Sequence, residues 1–151
     1  MSTLYWGDKM KDNKELLTSI LHTVQMGQTG IRSVHANAIR PALRSELDHQ
    51  LKEYDSIEKE AIQLAKARDL DLSNVNPAIR QMSKIMSQIR LIGGDVDSKI
   101  AGMLIQGNTR GIILGVKNLN RADSSDDQVL QLARKLLNLE NINIQKSQVF
   151  L

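Results

Sequence analysis

The sequence predicts an all-α chain. Four long helices form one bundle, and a long crossover carrying an extra short helix joins the second to the third. Three observations predict this. The 151 residues contain two prolines and four aromatics, one Trp, two Tyr and one Phe. That is a helix-former composition, poor in the residues that build strands. Apolar residues recur at alternating spacings of three and four along several stretches. The breaks between those stretches are unequal, with two short connections and one of about 28 residues, which describes a bundle with a single crossover.

Each element has its own signal. Residues 1–12 show no helical period and read as an N-terminal arm carrying Tyr5 and Trp6; residues 13–151 read as a single domain. The first helix starts at Asn13, with a stripe of Leu17, Ile20, Val24, Gly27, Ile31, Val34 and Ala38. Pro41 suits a first helical turn, and the second helix runs to about Arg68 on the stripe Leu43, Leu47, Gln50, Tyr54, Ile57, Ala61, Leu64. The run from Asp69 to Pro77 is turn chemistry. Residues 78–92 read as the short helix, stopped by Gly93 and Gly94. Asp95-Val96-Asp97-Ser98 caps the third long helix, which reaches about Asn120, and Asp127 opens the fourth.

Composition excludes several function classes. The chain has no cysteine, hence no disulfide, thiolate nucleophile or Cys-ligated zinc. The pI is 9.3, yet the net charge is only +3, and basic and acidic residues interleave without aromatics among the arginines. Nucleic-acid binding is therefore not expected. No apolar run reaches membrane-spanning length, so no membrane association is expected and a cytoplasmic location is the default.

Three stretches carry a resemblance: Met26-Gly27; Glu46-Leu47 with Gln50-Leu51-x-x-Tyr54; and Ile100 through Gly107. In these the chain resembles ferritin-like four-helix proteins, close to a group of small uncharacterised bacterial members. The resemblance implies the fold and brings no activity with it.

A ferritin-like di-iron centre needs a Glu from each of two helices and Glu-x-x-His from each of the other two. Glu46-x-x-His49 has the right spacing, but at about 100° per residue Glu46 falls on the margin of the apolar stripe and His49 points away from it. This motif reads as a solvated flank. On the fourth helix Glu140-x-x-Asn143 faces inward, with asparagine where the resemblance would expect histidine. At about 1.5 Å per residue, Gln28, Gln50, Asn108 and Glu140 fall at one mid-bundle level. With Glu53 and Asn143 they form a polar layer that is at most a weak ligand site. One or two carboxylates among amides cannot balance two irons, so no metal and no cofactor are expected. His22, on the far face of the first helix, and His35, near its end, complete no set. Glu140 itself is expected to have a raised pKa and hydrogen bonds to the neighbouring amides.

Gly107, Gly111 and Gly115 repeat every four residues on the third helix, opposite Gly27 and Gly30 on the first, and read as a close-packing or interface stripe. The third helix is apolar over a wide arc, and Met26 looks exposed. Both point to a homodimer or higher homo-oligomer. The sequence-level function is a non-enzymatic, self-associating structural or interaction module with a degenerate di-iron site. The alternative is a metal or small-ligand binder using the polar layer.

Overall fold

The computed structural model describes residues 12–72, 94–122 and 126–151. The expected arm, the short helix at 78–92 and the turn at 123–125 lie outside them, wholly or in all but one residue. Among the described residues there are four long helices: α1, Asn13–Val34; α2, Pro41–Ala67; α3, Val96–Asn120; and α4, Asp127–Gln148. A 3-10 turn at His35–Asn37 ends α1. None of these helices is long and apolar enough to cross a membrane.

The helix starts follow local chemistry. Asp12, Asp95 and Asp126 cap α1, α3 and α4, accepting from the backbone N–H of Glu15, Ser98 and Gln128. Each satisfies a donor that the first helical turn leaves free. For α2 no side chain caps; Pro41 occupies the first turn, where its missing N–H costs nothing. α2 closes with Asp69 in the left-handed region, φ 54°, while Leu70 N–H reaches back to Ala65 O at 2.8 Å. That is a Schellman closure, with Asp where glycine is usual.

Polar contacts at the two ends fix the helix directions. At one end Asp97, 1% exposed at the start of α3, accepts from the backbone N–H of Ile39 (2.8 Å) and Arg40 (3.0 Å) in the α1–α2 turn. At the other end Arg68, just after α2, donates to Asp126 Oδ2 at 2.6 Å, and Asp126 N–H donates to Asn13 Oδ1 at the start of α1. So α2 and α3 both run from the first end to the second, and α1 and α4 run back. The end of α2 and the start of α3 thus lie at opposite ends of the bundle. α1 packs on α2 and α3, and α4 packs on the same two.

The inward stripes form one apolar core, with Leu17, Val24, Leu43, Leu47, Ala61, Ile100, Ala101 and Val129 fully buried. Burying each large aliphatic side chain contributes about 1.5–3 kcal/mol. The core is interrupted at mid-height by polar residues, and there the functional question lies.

Candidate functional site

On α2, Gln50 (0% exposed) and Tyr54 (3%) point inward one turn apart. On α3, Asn108 (4%) faces them, and α4 contributes Glu140 (2%), Asn143 (1%) and Ser147 (0%). The helical period puts each on its apolar stripe, so the polar groups enter the core with the residues that build it.

Most of these groups satisfy one another. Tyr54 Oη donates to Asn108 Oδ1 at 3.0 Å, and Asn143 Nδ2 approaches the same oxygen at 3.4 Å. Asn108 Nδ2 turns back to Leu104 O in its own helix at 2.7 Å. Gln50 Nε2 donates to Glu46 Oε2 at 2.8 Å and lies 3.5 Å from Ser147 Oγ. Two acceptors are left over. Gln50 Oε1 is buried and has no hydrogen-bond partner. The Glu140 carboxyl accepts no hydrogen bond from any described residue, contrary to the expected bonds with the amides. Burial pushes its pKa up to about 8, from an ordinary 4.5, because a charge there loses its hydration. Burial also holds the Tyr54 phenol above its ordinary range; the nearby Glu140 charge adds to this, and the Asn143 amide opposes it.

Gln50 and Glu140 are among the residues lining a cavity of about 330 Å³ between α1 and α3, although the Gln50 Oε1 atom itself is fully buried. Its floor and inner wall are Glu140, Gln50, Tyr54 and Asn108; its apolar sides include Met26, Ile31, Met103, Leu104 and Leu114; His22 and Arg110 are exposed residues of its lining. The volume falls at the lower end of small-molecule sites, and the mixture of apolar walls with a few convergent polar groups is typical of them.

The glycines have separate tasks. A Cβ on Gly111 would stand 2.6 Å from Glu140 Cδ, so this glycine makes room for the carboxyl. A Cβ on Gly27 would stand 2.6 Å from the Tyr54 ring, so Gly27 makes room for the phenol. At Gly115 the nearest atom is Leu137 Cδ1 at 3.2 Å, on α4. Gly30 and Gly107 have nothing within 4 Å of an added Cβ, and both line the cavity. The glycines of α1 and α3 therefore do not form one close-packed seam. At Gly30 and Gly107 they open a space.

Other sequence expectations find different places. Gln28 is buried at the expected level but turns away from the layer, donating to Asp55 Oδ1 (2.8 Å) and Glu58 Oε1 (3.2 Å). Glu53 is half-buried and does not line the cavity. His49 is exposed, but Glu46 is half-buried and bonded to Gln50 rather than simply solvated. His22 lines the cavity instead of the far face of α1, and Met26 is half-buried in its wall. His35 pairs with Asp48 at 2.8 Å. No group of three or more His, Cys, Asp or Glu among the described residues is arranged to hold a metal ion.

Compared with protein-family models, with curated proteins and with solved structures, the chain matches none.

Proposed function

We propose that the protein is a non-enzymatic helical bundle that binds a small ligand in the α1–α3 cavity. The observation that carries this reading is a cavity with apolar walls lined by the buried side chains Gln50, Tyr54, Asn108 and Glu140, of which the Glu140 carboxyl has no hydrogen-bond partner among the described residues. A buried polar group without a partner costs about 1–3 kcal/mol. A ligand that hydrogen-bonds it would recover that cost. The bundle is read as ferritin-like, supported by the shared direction of α2 and α3 and by the polar layer at mid-height. In this reading amides stand where a di-iron centre would need carboxylates and histidines.

The test is a fragment titration followed by NMR. Molecules of about ten non-hydrogen atoms should shift the methyl resonances of Met26 and Met103 and the amides of Gly107 and Gly111. Gly30→Leu, which places a side chain in the open space, should abolish those shifts while the fold persists. Shifts elsewhere on the surface, unaffected by Gly30→Leu, would refute the site.

A second reading, self-association along α3, is favoured by Ile113 (52% exposed), Leu114 (40%) and Val116 (41%) on that helix. A monomeric mass by light scattering at high concentration would exclude it.

A further inference from the structure

The two helices that flank the cavity differ in charge from the other two. From Leu16 to Val34 on α1, and from Ser98 to Asn120 on α3, there is no Asp or Glu, while Arg32, Lys99, Arg110 and Lys117 are basic. Arg32 pairs with Asp55 of α2. The Arg110 guanidinium lines the cavity and has no hydrogen-bond or ion-pair partner among the described residues. Its neighbours one turn away on α3 are Gln106, Gly107, Ile113 and Leu114, none of them an acid.

The cavity also has a direction. α1 and α3 run opposite ways, and Asn118 Nδ2 donates to Ser19 Oγ between them. Counted from that contact, Gly111 falls level with Met26, Arg110 with Gly27, and Gly107 with Gly30. Glu140, lying against Gly111, and Arg110 therefore stand at one level, the acid on the floor and the guanidinium at the exposed mouth. From there the paired openings at Gly107 and Gly30 lead about 10 Å along the helix axes to Met103, past Ile31 and Leu104. No charged side chain lines that stretch. The amide acceptors beside it are closed: Gln50 Oε1 is fully buried, and Asn108 Oδ1 already accepts from Tyr54.

We propose that this slot takes a medium-chain carboxylate, its head between the Arg110 guanidinium and the Glu140 carboxyl and its aliphatic chain running past Gly30 and Gly107 to Met103. This rests on the ligand-site reading above and names the ligand's chemical class. Arginine meets a carboxylate with two parallel N–H donors. One arginine balances one negative charge, where a phosphate dianion would bring two. A ligand ammonium would face the same arginine with no acid on either flanking helix to offset it. At about 30 Å³ for each water-sized group, 330 Å³ admits roughly ten non-hydrogen atoms, the size of octanoate. The Met103 thioether conforms to a chain end without demanding one shape.

Glu140 gives the binding a pH dependence. Burial holds its pKa up at about 8, so near neutrality it carries a proton to donate to the ligand carboxylate. Once it ionises, two carboxylates meet and repel. The other titratable or charged groups on the cavity are Tyr54 from α2, His22 from α1 and Arg110 from α3. Tyr54 stays neutral across this range, and Arg110 stays charged. His22 is exposed and stands further toward Ser19 than Arg110 does.

The experiment is a calorimetric titration of the intact protein with octanoate, with neutral octanol and with octylammonium. Octanoate is expected to bind most tightly at about pH 7, and its affinity should fall about tenfold by about pH 9. In Glu140→Gln the ratio of the two affinities should be near one. That variant keeps His22 and Tyr54, so a fall that persists in it would belong to them and would overturn the role of Glu140. Arg110→Gln should lower octanoate affinity about threefold to tenfold, as expected for an ion pair that solvent partly screens, and by more than it lowers octanol affinity. Equal losses for the two would overturn the placement of the head. If octanol or octylammonium binds as tightly as octanoate in a manner blocked by Gly30→Leu, the ligand site stands and the carboxylate assignment is overturned. If none of the three binds, or Gly30→Leu leaves their binding intact, the ligand site itself falls and the carboxylate assignment with it.

Discussion

The Glu140 carboxyl lies against the backbone of Gly111, in the space that a side chain at position 111 would fill. Gly111→Ala must push the carboxyl aside within a packed layer. The expected cost is about 1–3 kcal/mol. Glu140→Ala should relieve the clash, so the double variant should be more stable than the sum of the single effects predicts, by about 1 kcal/mol. Chemical denaturation of the four proteins checks the coupling; additive effects would place the carboxyl elsewhere.

Glu140 also imposes a pH dependence on stability. Its folded-state pKa, about 8, lies above the ordinary value of 4.5. The folded protein keeps this proton while the unfolded chain has lost it. The contribution is fully present below the unfolded pKa and is lost as pH rises through the folded pKa. Between these limits wild-type stability should fall by an amount on the order of a few kcal/mol. Glu140→Gln should lack that slope, and should exceed wild type in stability at about pH 9 while matching it near about pH 4. Denaturant melts across the range measure both.

Gly27 and Gly30 stand one turn apart on α1 and should respond oppositely to alanine. Gly27→Ala meets the Tyr54 ring and should cost about 1–3 kcal/mol. Gly30→Ala meets open space and should gain about 0.5–1 kcal/mol from helix propensity alone. Thermal melts of the two variants are sufficient.

Asp97 ties the start of α3 to the α1–α2 turn. Asp97→Ala should leave the Ile39 and Arg40 N–H groups without their acceptor and cost about 2–3 kcal/mol. Hydrogen exchange at those two amides should accelerate by more than at the helix centres.

The legible and illegible features separate along physical lines. Glu140, Asn143 and Gln50 could be aimed inward from sequence because the helical period fixes direction once the apolar stripe is known. Glu46 was harder. Its Cβ sits at the stripe's margin, but a long side chain can reach Gln50 one turn away. Gln28 has the right depth, yet its amide finds Asp55 and Glu58 on the outer flank of α2, and partner choice is not a periodic property. The cavity was hidden because it consists of missing atoms. The same glycine spacing gives a tight seam or an opening, and the separation of α1 from α3 decides which. Asp97 reads as a helix-start residue in sequence, next to the Asp95 cap. Its bonds to a turn 57 and 58 positions earlier have no local signal.

The most direct measurement is the carboxyl titration of Glu140 itself, followed by NMR with carbon-13 at its side-chain carbon in the ligand-free protein. A midpoint near 8 is expected for an acid held on the cavity floor without a hydrogen-bond donor. A midpoint in the ordinary carboxylate range would mean that Glu140 is hydrated or hydrogen-bonded, and would contradict the buried, unpartnered acid on which the ligand site rests.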